Sequence, residues 1–277
     1  MATVQELLHE GDQLPVDEPR RDAEVLLCHC LQKPRTYLYT WPDATVAEAI
    51  AARYRASLKQ RREGQPVAYL TGTREFWSLS LQVNEHTLIP RPETEILVAW
   101  ALELPAAEEL EVLDLGTGSG AIALALASER KNWAITAVDS SAGALRCARA
   151  NADTLGLENL RLIESHWFSA LGTRRFGLIV SNPPYVAAGD PHLSRGDLRF
   201  EPRTALVAGA DGLGDIRHLV DAAPDFLQRD GQLLIEHGYD QGGAVRTLLT
   251  ERGFSAVETR QDLSGLDRIS GGRWHAG

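Results

Sequence analysis

One segment constrains the fold of this chain more than any other. Val112-Leu113-Asp114-Leu115 has the composition of a short buried strand, and it runs directly into Gly116-Thr117-Gly118-Ser119-Gly120 and the alanine-rich Ala121–Ser128. Strand, alternating glycines and helix in immediate succession form a βα turn that leaves the first N–H groups of the helix open to a ligand. The alternation continues to the end of the chain. Extended runs at 134–139, 160–164, 176–181 and 233–236 are interleaved with helical patterns at 142–155 and 214–228, and a helix at 240–252 precedes runs at 256–260 and 267–270. Repeated βα units build a parallel sheet with helices on both faces. No helix separates the last two runs, which predicts an antiparallel hairpin at the sheet edge. In such a sheet a ligand is expected outside the carboxyl ends of the strands, at the point where strand order reverses.

Residues 1–75 have a different character. Ala23, Leu26, Leu27, Cys30 and Leu31 share one helical face, and Val46, Ile50, Tyr54 and Leu58 form a second stripe, with Pro15, Pro19, Pro34 and Pro42 as breaks. A small all-helical domain is expected here, with nothing at catalytic spacing. Between 76 and 91 the period changes to two. Trp77, Leu79, Leu81 and Val83 alternate with polar residues, and Thr87-Leu88-Ile89 follows, so a β-hairpin connector made of these two runs is expected. Pro90 and Pro92 end it, and a helix carrying Leu97 and Trp100 starts at Thr94 with an acidic first turn. Residues 92–277 then form the α/β domain.

Composition narrows the function classes. Among 277 residues, 28 basic and 38 acidic side chains leave a net charge of −10, and residues 76–277 hold nine of those negative charges. A binder of the phosphate backbone needs a basic face that this balance does not provide. The one dense cluster, Arg53, Arg55, Lys59, Arg61 and Arg62, reads as a solvated helix face. No apolar run reaches the ~18 residues of a membrane span, and Met1–Glu10 lacks the basic region of a secretory signal. The three cysteines, Cys28, Cys30 and Cys147, make no disulfide framework, and the eight histidines show no metal-ligand spacing. Reduced thiols, no metal and a cytoplasmic location are expected.

Two motifs carry chemistry. The glycine loop lets a ligand approach the backbone, and nineteen residues past Gly120 stands Asp139, at the end of the next extended run. A carboxylate there can accept from both ribose hydroxyls of a nucleoside, a pairing also used by nicotinamide dehydrogenases, so this motif alone leaves the cofactor open. The second motif decides. The run 176–181 passes straight into Asn182-Pro183-Pro184-Tyr185. Two prolines fix φ and remove backbone donors, leaving carbonyls that only accept. The Asn182 side-chain oxygen and the Pro183 carbonyl are placed to accept the two hydrogens of a planar NH₂ group, with the Tyr185 ring over its face. Positive charge developing on that nitrogen is then favoured.

Asp114–Gly120 together with Asn182–Tyr185 resemble the S-adenosylmethionine-dependent methyltransferases that act on amide or exocyclic amine nitrogen. Over its full length the chain is similar to the bacterial peptide chain release factor glutamine methyltransferase family, through Arg20-Arg21-Asp22-Ala23-Glu24, Arg74-Glu75-Phe76-Trp77, Leu88-Ile89-Pro90-Arg91-Pro92-Glu93-Thr94-Glu95, both chemical motifs, and Phe200-Glu201-Pro202 with Ala205-Leu206. The resemblance implies a Rossmann-like, seven-stranded, mostly parallel sheet with an antiparallel edge hairpin, and a helical substrate-recognition domain joined to it by a β-hairpin. It implies a substrate glutamine in the Gly-Gly-Gln motif of class I release factors. It places Gly116, Thr117, Gly118, Ser119 and Gly120 against the methionine portion of S-adenosylmethionine, Asp139 on its ribose and Trp167 on its adenine. Asn182, Pro183, Pro184 and Tyr185 would hold the substrate amide, with Asn182 also at the cofactor. One position departs from the pattern: His166 stands where close relatives usually carry Asp, and a neutral histidine accepts through one nitrogen only. Thr94 and Glu95 belong to a segment that lies near the cofactor in the family, and as sequence they equally well start a helix.

Two other acceptors share this chemistry. A nucleic-acid adenine methyltransferase would need a basic groove, which an acidic chain lacks, and a ribosomal-protein glutamine methyltransferase is disfavoured by the Arg-Pro-Glu-Thr-Glu run. The expected partners are class I release factors, with no stable nucleic acid and no membrane, and the expected state is a monomer. His237 is expected to be structural, and Gly209, Gly212 and Gly214 to form a turn-rich loop.

Overall fold

A computed structural model describes residues 1–105, 108–194 and 196–275. The chain forms two compact units, Met1–Thr73 with His192–Phe200, and Arg74–Pro191 with Glu201–Gly277. The short segment His192–Phe200 thus belongs to the helical unit, which a boundary placed at residue 75 does not include.

The helical unit contains α1 (Val4–Gly11), α2 (Pro19–Leu31), α3 (Arg35–Thr40), α4 (Glu48–Arg62) and α5 (Val67–Thr71). Thr3 and Glu6 form a reciprocal capping box at the start of α1. The two apolar stripes close on one another: Leu7, Leu26, Leu27, Leu38, Tyr54 and Leu58 share one core. Glu24, only 1% exposed, accepts from Tyr39 (2.5 Å), Arg20 (3.2 Å) and Arg35 (2.6 Å). Burial alone would raise its pKa, but these donors win and hold it below the usual carboxylate range. The basic cluster on α4 departs from a purely solvated face. The Arg61 guanidinium lies half-buried between Asp22 and Asp197, 2.7 Å from each, and Arg55 pairs with Glu10 and Glu48. A buried cation needs its charge answered at both ends, which the spacing on one helix could not reveal.

The second unit opens with a hairpin, β1 (Thr73–Phe76) and β2 (Leu79–Gln82). The expected pairing of 77–83 with 87–89 is therefore wrong. Trp77 and Ser78, at φ 51° and 58°, make a two-residue turn, so the strand pairs backwards with 73–76. Residues without glycine rarely adopt this turn, and nothing in the local sequence announces it. Tertiary bonds hold it: the Trp77 backbone donates to Glu95 and its indole to Glu129, both at 2.8 Å.

After a 3₁₀ turn at Pro92–Thr94 come α6 (Glu95–Glu103), β3 (Glu111–Leu115), α7 (Ala121–Glu129), β4 (Ala134–Asp139), α8 (Ala142–Leu155), β5 (Leu160–Glu164) and β6 (Phe176–Ser181). They are followed by α9 (Gly214–Ala222), β7 (Leu227–Glu236), α10 (Gly242–Arg252), β8 (Ser255–Gln261) and β9 (Asp267–Arg273). The helix expected over 214–228 stops at Ala222, because Pro224 tightens the chain into a 3₁₀ turn and β7 begins early. The seven strands are ordered β5-β4-β3-β6-β7-β9-β8. β3 to β7 are parallel, and β9 runs antiparallel between β7 and β8. Leu97, Leu124 and Leu126 bury one face of the sheet, and Ile216, Leu219, Val245 and Leu249 the other. Strand order reverses between β3 and β6, so their carboxyl ends open a crevice. Among the described residues no helix is long and apolar enough to cross a membrane.

Candidate active site

The crevice is built from the ends of four adjacent strands. After β3 the chain turns at Gly116 and Gly118, at φ 74° and 58°, and the N–H groups of Gly116 and Thr117 both donate to the Val138 carbonyl at 2.9 Å. At Gly116 the positive φ favours glycine, and a Cβ there would also sit tightly, 3.3 Å from the Trp167 ring. Beneath the loop, Asp114 is fully buried. Its Oδ2 accepts from the Thr117 hydroxyl at 2.6 Å, and its Oδ1 has no partner among the described residues. Burial pushes its pKa up to about 7 against the Thr117 hydrogen bond.

β4 delivers Asp139, whose Oδ2 accepts from Gly118 N–H (2.9 Å) and Oδ1 from Ser141 N–H (2.8 Å). Burial raises its pKa while these backbone donors oppose the rise. Trp167 follows β5 in a left-handed conformation, its carbonyl held by the Ser165 hydroxyl at 2.7 Å. His166 is exposed beside it. The first turn of α9 brings Asp215 to the same end of the crevice. Burial lifts its pKa, while a hydrogen bond from Trp167 and the charges of His166 and His218 oppose that rise. A carboxylate from a distant helix thus stands close to His166.

β6 is pinned to β3 by the Ser181 hydroxyl, which donates to the Leu115 carbonyl at 2.8 Å, and then presents Asn182. The Asn182 Nδ2 donates to the Thr94 hydroxyl at 3.2 Å. Its Oδ1 is buried and has no partner among the described residues. The Tyr185 backbone carbonyl is fixed from two sides. Gln241 donates to it at 3.0 Å, and Gly212 approaches so closely that a Cβ there would lie 2.3 Å away. Gly212, at φ 74°, therefore does more than turn a loop.

Gly116, Thr117, Gly118, Ser119, Asp139, Trp167, Asn182 and Pro184 line one cavity of 390 Å³, together with Thr94, His166 and Asp215. Three expected site residues are not on its wall. Gly120 caps α7 instead, where a Cβ would meet Leu124 at 2.9 Å and Ala148 at 3.2 Å, so its role is close packing. Pro183 is buried. The Tyr185 ring packs among the apolar residues under the sheet, with its hydroxyl 3.4 Å from Glu236 Oε1, and not over the cavity. Burial and the Glu236 charge keep that phenol protonated. Glu236, at the end of β7, escaped the sequence reading, and its only signal there was an acid closing an apolar strand. It is 1% exposed, its Oε2 has no partner among the described residues, and burial pushes its pKa up to about 7 in spite of the hydrogen bond from Tyr185. His237 is structural, bonded to Ser270 at 2.8 Å and to the Gly238 carbonyl at 2.9 Å. Among the described residues no group of three or more His, Cys, Asp or Glu side chains could hold a metal ion.

Comparison with known proteins places this geometry. Residues 3–72 match the family model described as PrmC N-terminal domain, and residues 93–196 match the methyltransferase small domain. A release factor glutamine methyltransferase of Pseudomonas aeruginosa is 55% identical over 99% of both chains. One from Vibrio cholerae is 51% identical over 99% of this chain and 94% of its own, and one from Escherichia coli 47% over 94% of each. Among solved structures, a methyltransferase from Pyrococcus furiosus superposes with a TM-score of 0.55 at 15% identity, covering 81% of this chain and 100% of that one. The hMettl16 catalytic domain does so at 0.57 and 14%, over 83% of each chain. At these identities the two structures speak to the fold alone.

Proposed function

The chain belongs to the release factor glutamine methyltransferase family, and from that premise we propose that it moves a methyl group from S-adenosylmethionine to the side-chain amide nitrogen of the glutamine in the Gly-Gly-Gln motif of class I release factors. It acts as a monomer in the cytoplasm, and the helical unit recognises the protein substrate. The observation that carries the reading is that Asn182, whose Oδ1 has no hydrogen-bond partner among the described residues, lines the same cavity as the glycine loop and Asp139.

The residues fit the cofactor. Two glycines at positive φ let a ligand lie on the backbone of the loop that lines the cavity, and Asp139 adds a carboxylate to the same lining. Gly116, Thr117, Gly118 and Ser119 would hold the methionine portion, Asp139 the ribose hydroxyls, and Trp167 the adenine face. When bound, S-adenosylmethionine supplies an electrophilic methyl group on a sulfonium.

The remaining chemistry is the protein's own. An amide nitrogen is a weak nucleophile because its lone pair is shared with the carbonyl. Asn182 Oδ1 and the Pro183 carbonyl accept the two amide hydrogens and orient the nitrogen, while Pro184 and Tyr185 shape the segment around it. As the nitrogen gains positive charge these acceptors strengthen, so they stabilise the transition state more than the ground state. The proton leaves afterwards to water or a backbone carbonyl, without a dedicated base. In rapid-quench methyl transfer at saturating substrates, Asn182→Ala is expected to slow turnover about 100-fold or more, as for one lost preorganised contact, with cofactor affinity changed far less. A wild-type rate in that variant would remove the motif from the chemistry. Release factor, ribosomal protein and DNA run in parallel as acceptors, and preference for either of the latter two would overturn the substrate assignment.

A further inference from the structure

Part of the cavity wall comes from two proline-bearing segments. Leu88 and Pro90 line it from the chain before α6, and Pro202, Thr204, Ala205 and Val207 from the chain before α9. Pro90, Pro92 and Pro202 have no N–H, so a continuous ladder of backbone bonds cannot join the two segments. A side chain joins them instead. Glu201 Oε2 accepts from the Ile89 N–H at 3.0 Å, and Oε1 accepts from the Arg91 guanidinium. The Glu201 side chain is completely buried, whereas that of Arg91 is 30% exposed. Each carboxylate oxygen thus has a donor, and the buried charge has its counter-ion.

The far end of the second segment is fixed to the Asn182–Tyr185 motif. Val186, which directly follows Tyr185, donates its N–H to the Leu206 carbonyl at 2.8 Å and accepts from Ala208 N–H at 3.0 Å. Ala188 N–H donates to the Gly209 carbonyl at 2.8 Å. This stretch of wall is therefore continuous with the motif at one end and tied by Glu201 at the other. We propose that Glu201 is a positioning residue, which through Ile89 and Arg91 holds the 202–207 wall where it seats the substrate glutamine side chain against Asn182. The role deepens the functional reading above and rests on it for the identity of that side chain. The tie between the two segments stands without it.

The two halves of the tie have different chemistry. The Ile89 N–H needs an acceptor and no charge. Arg91 is needed because a carboxylate supplies that acceptor in a buried place, where an unanswered charge is costly. Removing one partner alone would strand the other, so the informative variants change both. Glu201→Gln with Arg91→Met removes both charges and keeps an oxygen for Ile89. Glu201→Leu with Arg91→Met also removes both charges, at similar side-chain size, and leaves Ile89 without an acceptor. The difference between these two variants isolates the tie from the ion pair.

Hydrogen exchange of the Ile89 amide tests the tie without cofactor or turnover. This amide should exchange about tenfold or more faster in the Leu/Met variant than in the Gln/Met variant, which should stay near wild type. Methyl transfer to release factor tests the consequence. The Leu/Met variant should lose up to about 100-fold in kcat, the cost of about an ångström of misplacement, with release factor KM and cofactor Kd changed far less. The Gln/Met variant should recover most of that rate. Glu201→Ala with Arg91→Met, a second acceptor-free variant with a smaller side chain, repeats the comparison should the first not fold. Equal Ile89 exchange in the acceptor-free and Gln/Met variants overturns the tie. Faster exchange with an unchanged kcat, or a loss confined to KM or to cofactor Kd, overturns the positioning role. If wild type methylates no release factor at all, the functional reading fails, and the exchange comparison still decides the tie.

Discussion

Asp139 does two things at once: it faces the cavity and anchors the Gly118 and Ser141 N–H groups. Asp139→Ala should therefore weaken S-adenosylmethionine binding by about 1.5–3 kcal/mol, the worth of a charge-assisted pair, as read by calorimetry. An unchanged affinity would take Asp139 out of the site. Glu236 makes the opposite kind of prediction. Its folded-state pKa of about 7 lies above the ordinary 4.5, so its stabilising contribution is complete below about pH 4.5 and is lost as pH rises through 7. Glu236→Gln, neutral throughout, should be more stable than wild type by up to about 3 kcal/mol at pH 8.5, with the gap closing by pH 5, in urea denaturation. Asp139 and Asn182 were legible because each belongs to a spaced motif. Glu236 was not, because an acid at a strand end has a commonplace structural role, and only its burial next to the Tyr185 hydroxyl distinguishes it.

The elements show where local pattern suffices and where it fails. α8 spans Ala142–Leu155 as its apolar spacing dictates, and Ser141 caps it. The hairpin register was missed because its turn, Trp77-Ser78, carries no glycine and is stabilised from outside by Glu95 and Glu129. Asn151 on α8 ties this hairpin to the glycine loop. Its Oδ1 accepts from Gln82 N–H at 2.6 Å, and its Nδ2 donates to the Gln82 carbonyl (3.0 Å) and the Ser119 carbonyl (2.9 Å). Asn151→Ala leaves those groups unpaired in a buried place and should cost about 2–4 kcal/mol, seen as a lower urea midpoint at unchanged m-value. It should also weaken cofactor binding, since Ser119 lines the cavity. A wild-type midpoint would mean that the hairpin is held by its apolar contacts alone.

At the scale of the molecule, the helical unit has its own core and its own ion pairs, and its elements supply none of the residues that line the cavity. Removing residues 1–72, which spares β1, should leave cofactor affinity nearly intact and raise the KM for release factor, measured on a truncation whose folding is verified by circular dichroism. Loss of cofactor binding by a folded truncation would refute this division of labour. Because Asp197 and the Arg199 side chain bond to Arg61 and to the Glu63 carbonyl within the helical unit, the 192–200 segment loses its partners in that truncation. Any change in KM therefore reports on the segment as well as on the helices.

By itself the sequence determined the class of sheet, the position of the crevice and the two motifs that face one another across it. Each rests on covalent neighbours: glycine at positive φ, proline without an N–H, apolar residues at a fixed period. Only the tertiary structure decided that Gly120 packs a helix, that Arg61 lies between two carboxylates, that Thr94 accepts from Asn182, and that Tyr185 turns to Glu236. Those outcomes depend on which groups from distant segments share a space from which water is excluded. There an unpaired charge or amide is costly, and its partner is chosen by proximity in space and not by spacing in the chain.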